Sequence, residues 1–351
     1  MPSDRLVIYG SNGFVGEAVA RLAHAEGLQP VLAGRDREAV TRLAGELGLE
    51  GRAFALDDPV AVDAGLRGAR VVLNMAGPYV NTWRQVVEGC LRAGAHYVDV
   101  TGELPVLAAM ADLDAAARER DVMLLPSAGL DSVPADCLAA HLLERLPGTT
   151  RLRFALRTVG PAGLPPGTQR TMIELAHLPG RVVAGGRLAE AHGPATMRVD
   201  FGDGHVTVVR YPGPDPLVVN RSTGVPDVQA FVALSPALRL AYRALRLSRP
   251  LLRPPAARRL LRRFVLPGPS EEARRLSRTD TWAEARDGAG GVAVSRLHGP
   301  EGAVVWTSRS AIAVAKRALA GDAPPGLQTP AGAYGADLVL ECDGVSREDV
   351  V

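Results

Sequence analysis

The sequence predicts an α/β fold in which a doubly wound parallel sheet is joined to a second α+β domain built on a mixed or antiparallel sheet. Three observations predict it. Apolar segments of strand length alternate with helical segments through the first third of the 351 residues. This alternation begins with an apolar strand, a glycine-rich turn and a helix. From residue 152 onward the apolar residues recur with a period of two, as in strands with one exposed face.

The first domain is expected to alternate strands and helices with short connections. The strands are predicted at 6–9, 30–34, 52–56, 70–74, 97–100 and 122–125, and the helices at 17–27, 37–47, 59–66, 83–93, 104–120 and from Pro134 onward. Strands of the second domain are predicted at 152–159, 196–199, 205–209, 282–286, 291–297 and 303–307, with helices at 171–178, 236–247 and 308–319. We expect a nucleotide-binding domain over 1–145, a substrate domain over 146–310, and a C-terminal helix and tail over 311–351 that pack back on the first domain.

The turn after the first strand suits a dinucleotide pyrophosphate, which needs backbone N–H groups at a helix N-terminus and glycines that allow close approach. The order of strand, turn and helix therefore favours a Rossmann-type site over a merely structural βα turn. The predicted cofactor-binding residues of this turn are Gly10, Ser11, Asn12, Gly13, Phe14, Val15 and Gly16.

The residue after the second strand indicates which dinucleotide is bound. Arg35 stands where the adenosine ribose should lie, and a guanidinium there can bind a 2′-phosphate bidentately. Arg35 thus favours NADP, whereas the neighbouring Asp36 leaves NAD open. In the alternative interpretation, Arg35 and Arg37 are ordinary solvated residues at the start of a helix.

Composition and charge set the class of protein. A hydrophobic content of 47% with 22% charged residues is that of an ordinary globular protein, and a net charge of +2 gives no support to nucleic-acid binding. The three cysteines are far apart and form neither a disulfide framework nor a metal knuckle. With no signal peptide and no apolar run long enough to span a bilayer, we expect a cytoplasmic protein, unless it docks peripherally on a membrane.

Three segments follow parallel strands at the sheet edge where ligands of such folds bind. After the fourth strand, Asn74, Ala76, Gly77 and Pro78 are predicted to lie along the nicotinamide side of the cofactor, and Tyr79 is a candidate proton donor. The second segment, residues 96–103, contains Asp99 and Glu103, which suit acid and base chemistry or the binding of backbone amides equally well.

The third segment, residues 127–136, contains the candidate catalytic residues Asp131 and Ser132. Both precede Pro134 in good N-cap positions, so helix capping is the alternative role for each of them. The two roles are compatible, because a helix N-terminus also stabilises negative charge that develops on a substrate.

The absence of several motifs narrows the range of reactions that the sequence supports. The only lysine is Lys316, with Ile312 four residues before it, so the Tyr-x-x-x-Lys pair of short-chain dehydrogenases is missing. The sequence has no H-E-x-x-H, no paired C-x-x-C and no G-x-S-x-G, which sets aside zinc hydrolysis and the common serine hydrolase elbow, and no metal is expected. Proton donors are then to be sought among Tyr79, Asp131, Ser132, cofactor hydroxyls and water.

Taken together, these motifs resemble the saccharopine dehydrogenase-like NADP-binding oxidoreductases, and within them the trans-acting enoyl reductase branch. The resemblance rests on GSNGFVG at 10–16, LAGR at 32–35, NMAGPY at 74–79, HYVDVTGE at 96–103, AGLDSVPAD at 128–136, PGTQRTMIE at 166–174, GPSEEAR at 268–274 and TPAGAYG at 329–335. It implies an NADPH-dependent reductase that acts on carrier-bound unsaturated acyl chains in lipid or polyketide assembly. Leu130 departs from the branch, which often has an aromatic residue there.

Arginines accumulate among leucines and prolines between residues 228 and 270, a stretch with no acidic residue. We call residues 239–263 the arginine-rich segment. It suits docking to an acidic acyl carrier protein or to an anionic membrane, and the alternative is a solvated helical face whose leucines are buried. Its arginines are Arg239, Arg243, Arg246, Arg249, Arg253, Arg258, Arg259, Arg262 and Arg263.

The sequence thus predicts an NADPH-dependent reductase of an α,β-unsaturated acyl thioester. Two alternatives stay open at this point. The first is reduction of an imine or carbonyl in a secondary pathway, which requires a defined acid near the nicotinamide. The second is an NADP-binding scaffold without catalytic activity.

Overall fold

The structure, a computed structural model, describes residues 5–161, 163–178, 181–191, 195–211 and 213–351, and within these it leaves the side chains of Leu245, Arg246 and Glu301 undescribed. The chain divides into two compact units. The first comprises Met1–Val133 and Val304–Ala333, and the second comprises Pro134–Ala303 and Tyr334–Val351.

Strands and helices alternate along the first 145 residues. Their bounds are β1 Arg5–Tyr9, α1 Phe14–Ala25, β2 Val31–Gly34, α2 Arg37–Leu47, β3 Gly51–Ala53, α3 Pro59–Gly65, β4 Ala69–Asn74, α4 Trp83–Ala93, β5 His96–Asp99, α5 Leu104–Met110, α6 Asp114–Glu119, β6 Met123–Leu125 and α7 Val133–Arg145. Short 3-10 turns cover Tyr79–Asn81 and Ala111–Leu113.

The remaining chain is richer in strands. Its elements are β7 Thr149–Val159, α8 Pro166–Leu175, β8 Arg181–Ala184, β9 Arg187–Glu190, β10 Thr196–Asp200, β11 His205–Arg210, α9 Asp215–Thr223, β12 Asp227–Ala233, α10 Pro236–Leu247, α11 Pro255–Leu261, α12 Glu271–Arg275, β13 Arg278–Asp287, β14 Val292–Glu301, α13 Gly302–Leu319, β15 Gly326–Leu327, α14 Pro330–Tyr334 and β16 Ser346–Asp349. Further 3-10 turns cover Arg249–Leu252, Arg262–Phe264 and Leu338–Glu341.

The first unit is built on a seven-stranded sheet with the order β15-β6-β5-β4-β1-β2-β3. Every neighbouring pair is parallel. The chain turns outward to β2 on one side of β1 and returns to β4 on the other, so the strand order reverses between β1 and β4. Ligands of such sheets bind at this reversal, outside the carboxyl ends of the strands. The predicted doubly wound domain is confirmed.

Buried apolar strands hold this sheet together, since successive residues of a strand point to opposite faces and both sets are buried here. Val7, Ile8, Val72 and Leu73 of the central strands are all fully buried. At about 25 cal/mol per Å² of apolar surface removed from water, this core is the main source of the unit's stability. It fixes the strand ends from which the polar loops project.

The second unit contains a mixed sheet with the order β10-β11-β12-β7-β13-β14-β16, which confirms the predicted second α+β domain. Only β12 and β7 pair in parallel along this path, and the other pairs are antiparallel. The β8–β9 hairpin attaches to β12. One face of the sheet carries a buried cluster that includes Phe201, Phe231 and Trp282.

Two element predictions were wrong. Residues 303–307, expected as a strand, form the first turns of α13. A five-residue apolar run has no decisive period, and Val304 and Trp306 are buried on the helix. The helix expected over 104–120 is divided by the 3-10 turn Ala111–Leu113. There Asp114 accepts a hydrogen bond from the Leu327 amide at 2.6 Å, which ties the start of α6 to the edge strand β15.

The division of the chain also differs from the expected boundaries. Residues 134–145 belong to the second unit, and the expected C-terminal segment is shared between the units. Residues 304–333 belong to the first unit, whereas β16 pairs with β14 in the second sheet. No helix of the described residues is both long and apolar enough to cross a bilayer.

Candidate functional site

The glycine-rich turn joins the carboxyl end of β1 to α1. Gly10 has a φ of +83°, and a Cβ added to it would lie 2.8 Å from the backbone nitrogen of Ala76. A Cβ on Gly16 would lie 2.1 Å from the carbonyl oxygen of Gly10. Only glycine therefore fits at these two positions, while Gly13 is exposed. The turn leaves the space that a pyrophosphate needs.

The turn also leaves backbone donors available. The amides of Gly10 and Ser11 donate to the carbonyl of Ala33 at 2.8 and 3.1 Å, and the hydroxyl of the buried Ser11 donates to the same oxygen. The amides of Asn12 and Val15 have no hydrogen-bond partner in the described part of the chain. Amides at the start of a helix attract anions, so these residues fit the phosphates of a dinucleotide. Phe14 and Val15, also predicted to bind cofactor, are half-buried on the first turn of α1.

The two residues that follow β2, Arg35 and Asp36, have different roles, which the sequence left open. Asp36 caps α2 by accepting a hydrogen bond from the amide of Ala39 at 3.1 Å. Arg35 is exposed and forms no ion pair with any described residue. Its guanidinium lies near the Tyr9 phenol and opposes the burial that raises the pKa of Tyr9 to about 12. The carboxylate of Asp36 therefore serves the helix, while the guanidinium of Arg35 is available to a 2′-phosphate.

The loop after β4 lies against the glycine turn, since the Met75 amide donates to the Tyr9 carbonyl at 2.7 Å. Asn74 is fully buried and shapes this loop: its side-chain oxygen accepts from the Ala76 amide at 3.1 Å, and its nitrogen donates to the Tyr97 hydroxyl at 3.2 Å. Both the oxygen and the nitrogen of this carboxamide thus form hydrogen bonds within the protein. The half-buried Ala76, the exposed Gly77 and the half-buried Pro78 follow, and the Gly77–Pro78 peptide is cis.

Tyr79 is held in place by a buried carboxylate. The two oxygens of Glu103 accept hydrogen bonds from the Tyr79 and Val80 amides, each at 2.8 Å, and Glu103 is fully buried. Burial, together with the nearby carboxylates of Asp99, Glu103 and Asp131, raises the pKa of the Tyr79 phenol well above its usual value. This makes Tyr79 a weak acid and favours a positioning role over proton transfer.

Asp99 joins the loops that follow β5 and β6. Its Oδ1 accepts hydrogen bonds from the Thr101 and Ser127 amides at 2.8 and 2.9 Å, and its Oδ2 accepts from the Tyr97 hydroxyl at 2.6 Å. Burial raises the pKa of Asp99 to about 6, although these three bonds act in the opposite direction. Asp99 and Glu103 both bind backbone amides. This is one of the two roles expected for them from the sequence, the other being acid and base chemistry.

Unlike Asp99 and Glu103, Asp131 and Ser132 have side chains with no hydrogen-bond partner among the described residues. Neither caps α7, so the capping interpretation fails for both. A Cβ on Gly102 would lie 2.7 Å from Oδ2 of Asp131, which places this carboxyl beside the loop after β5. Burial raises the pKa of Asp131, and the Ser132 hydroxyl is fully buried. An unsatisfied buried polar group costs stability, and such groups concentrate at functional sites.

Sequence reasoning missed two features of this site. One is the clamp that Glu103 forms on the Tyr79 loop, 24 residues away, for which the sequence carries no local signal. The other is the backbone of Ser127, whose φ of +63° is rare for a residue with a side chain. Its hydroxyl donates to the Thr101 carbonyl at 2.6 Å, which closes the connection between the two loops. Among the described residues, no group of His, Cys, Asp and Glu could hold a metal ion.

Comparison with protein families identifies the fold and cofactor of the first unit. Residues 6–125 match the family described as the saccharopine dehydrogenase NADP binding domain. This match confirms the resemblance seen in the sequence and the predicted nicotinamide dinucleotide cofactor. The glycine turn, its available amides and Arg35 all lie within the matched residues.

Curated relatives cover part of the chain. A stretch of 181 residues is 29% identical to the saccharopine dehydrogenase-like oxidoreductase of Homo sapiens, covering 45% of this chain and 42% of that protein. A stretch of 155 residues is 32% identical to the trans-acting enoyl reductase of Mycobacterium tuberculosis (strain ATCC 25618 / H37Rv), covering 41% of this chain and 37% of that protein. The chain thus matches about two fifths of the length of these relatives.

A solved structure confirms the fold over a longer span. The apo histidine-tagged saccharopine dehydrogenase (L-Glu forming) from Saccharomyces cerevisiae is similar with a TM-score of 0.69 at 13% identity. The similarity covers 99% of this chain and 100% of that chain.

Proposed function

Because the first unit carries a saccharopine dehydrogenase-type NADP-binding domain, we propose that the protein is an NADPH-dependent oxidoreductase that reduces the C=C bond of an α,β-unsaturated, carrier-bound acyl thioester in lipid or polyketide biosynthesis. The observation that carries the proposal is that the glycine turn follows β1 and a polar loop with two unpartnered side chains, Asp131 and Ser132, follows β6, so that both lie at the carboxyl ends of strands of the same parallel sheet. The relative named trans-acting enoyl reductase supports the choice of reaction.

In this proposal, residues of the first unit bind the cofactor. The amides of Asn12 and Val15 bind the pyrophosphate, and the Arg35 guanidinium binds the 2′-phosphate. Ala76, Gly77 and Pro78 lie along the nicotinamide side, where Asn74 and Glu103 fix the loop through hydrogen bonds. NADPH, when bound, supplies a hydride.

Asp131 and Ser132 supply the proton chemistry. When the β-carbon of the substrate receives the hydride, the electrons of the C=C bond move toward the thioester oxygen and negative charge develops there. The Ser132 hydroxyl donates a hydrogen bond to that oxygen. Asp131, whose raised pKa favours its protonated form, gives its proton to the α-carbon as the electrons return, and water restores the proton on Asp131. In this proposal Tyr79 positions its loop and transfers no proton.

A second candidate reaction is favoured by the same carboxyl group. Reduction of an imine or carbonyl requires a defined acid that protonates a heteroatom, and Asp131 is a carboxyl with a raised pKa and no partner among the described residues. The two reactions share the cofactor site and differ in the atom that receives the proton. Substrates therefore distinguish them.

The test follows NADPH oxidation by absorbance with a trans-2-enoyl thioester, offered on a small thiol and on an acyl carrier protein, beside an imine and a ketone. Enoyl turnover that falls at least tenfold in Asp131→Asn, with NADPH affinity unchanged, supports the proposal. The matched control is Asp112→Asn, since Asp112 is exposed on the first unit. Turnover on the imine or ketone alone selects the second candidate. NADPH binding without turnover on any acceptor contradicts both and leaves an NADP-binding scaffold.

A further inference from the structure

The arginine-rich segment exposes an unusual number of large apolar side chains. Seven of the fifteen exposed large apolar side chains of the described residues lie within residues 238–266. We call this stretch the basic apolar face. All seven are more than half exposed: Leu238, Leu240, Leu247, Leu251, Leu260, Phe264 and Leu266, with Leu247 at 85%. The sequence-based alternative, in which the leucines are buried, is therefore wrong for these positions.

The segment that carries these exposed side chains is held to the rest of the second unit. The Tyr242 hydroxyl donates to the Arg210 carbonyl at 3.2 Å, and Leu252 is buried. At the far end, the Leu266 amide donates to the Gln169 side chain at 2.8 Å, and Gln169 donates back to the Leu266 carbonyl at 3.1 Å. The face is thus anchored by some residues while its seven exposed apolar side chains remain in water.

The charges of the face are of one sign. No acidic residue occurs from 228 to 270. Arg258 and Arg262 both pair with Glu174 of α8. By contrast, four further arginines are exposed and form no ion pair with any described residue: Arg243, Arg253, Arg259 and Arg263. The side chain of Arg246 lies outside the described atoms.

We propose that the basic apolar face binds the surface of an anionic lipid bilayer. Exposed apolar patches of this kind mark interaction sites, and the pairing of arginines with leucines and phenylalanine is that of interfacial membrane segments. An acidic soluble partner would neutralise the arginines and leave most of the leucines in water. An anionic bilayer satisfies both groups, because phosphates meet the guanidinium groups and the acyl layer receives Leu247, Leu251 and Phe264. The proposal does not depend on the reaction that the first unit performs.

The test is sedimentation of the full chain with vesicles of phosphatidylcholine alone and of phosphatidylcholine with one quarter phosphatidylglycerol. We expect binding to the anionic vesicles that weakens with salt. The double variants Leu247→Ser with Phe264→Ser, and Arg243→Glu with Arg263→Glu, should each lower the partition coefficient at least tenfold. The matched controls Val60→Ser and Arg42→Glu, which change exposed residues of the first unit, should leave it unchanged. Circular dichroism checks that every variant is folded.

Three outcomes would overturn the proposal. The first is no sedimentation with anionic vesicles. The second is equal binding to both vesicle types, which would remove the role of the arginines. The third is vesicle binding that the controls reduce as much as the variants do. If vesicles fail to bind and an acidic acyl carrier protein binds in a manner sensitive to Arg243→Glu with Arg263→Glu, the occupant is the carrier.

Discussion

Oδ1 of Asp99 accepts a hydrogen bond from the backbone amide of Ser127 at 2.9 Å, which ties the loop after β5 to the loop that contains Asp131 and Ser132. This bond makes the geometry of the candidate site depend on a buried carboxylate. Since burial raises the pKa of Asp99 to about 6, the site and the stability of the first unit should both respond to mildly acidic pH.

The first prediction concerns the pH dependence of stability. The folded chain keeps the Asp99 proton up to about pH 6, whereas the unfolded chain releases it near its usual pKa of 3.8. The folded state therefore binds more protons in this window, and this contribution is fully present below the lower value and lost as pH rises through the higher one. It amounts to about 3 kcal/mol for two pKa units.

Urea unfolding between these two pH values measures it. Asp99→Asn, which keeps a carbonyl oxygen for the two amides, should flatten the fall in unfolding free energy across the window. Asp112→Asn, at an exposed position, should leave the wild-type slope intact. A slope that is the same in wild type and Asp99→Asn would show that Asp99 does not titrate in this range.

The second prediction concerns cofactor choice. Arg35→Ala should weaken NADPH binding roughly 10- to 100-fold and leave NADH binding unchanged, because it removes charge-assisted hydrogen bonds to the 2′-phosphate. Fluorescence titration with both dinucleotides measures the ratio. Arg42→Ala is the control, since Arg42 is exposed on the neighbouring helix. An equal loss for the two cofactors would remove Arg35 from the 2′-phosphate site.

The third prediction distinguishes two reasons why replacing a glycine is unfavourable: its backbone conformation at positive φ, and the collision of an added Cβ with its neighbours. Gly10 and Gly27 have nearly the same φ, +83° and +81°, but a Cβ on Gly27 would meet nothing within 4 Å. Gly27→Ala should cost about 1 to 2 kcal/mol of stability through its backbone alone. Gly10→Ala adds a collision with the Ala76 backbone and should abolish dinucleotide binding. Similar melting temperatures and affinities for the two variants would contradict this geometry.

The fourth prediction concerns Ser132. Its buried hydroxyl has no partner among the described residues, so Ser132→Ala should leave the unfolding free energy unchanged or raise it. Turnover should nevertheless fall roughly 10- to 100-fold if the hydroxyl stabilises charge in the transition state. Ser127→Ala is the contrasting variant, because it loses the bond to the Thr101 carbonyl and about 1 kcal/mol of stability. Full activity in Ser132→Ala would assign the hydroxyl no catalytic role.

Local patterns were sufficient for most of the first unit and for some elements of the second. The helix expected at 236–247 and the strands around Ile8 and Leu73 lie where periodicity places them, because each depends on residues that are close in sequence. Prediction failed where distant contacts decide. The run at 303–307 is helical because it continues into α13 and buries Trp306, and the helix after Leu104 is interrupted where Asp114 meets Leu327.

The sequence by itself determined the glycine turn and the class of cofactor, since a strand, a turn and a helix N-terminus are local structures whose chemistry is present in consecutive residues. Only the tertiary structure decided which polar side chains of the site are already engaged. It joined Glu103 to Tyr79 and Asp99 to Ser127, and it left Asp131 and Ser132 without partners among the described residues. It also decided that six leucines of the basic apolar face are exposed, because burial depends on the elements packed around a residue.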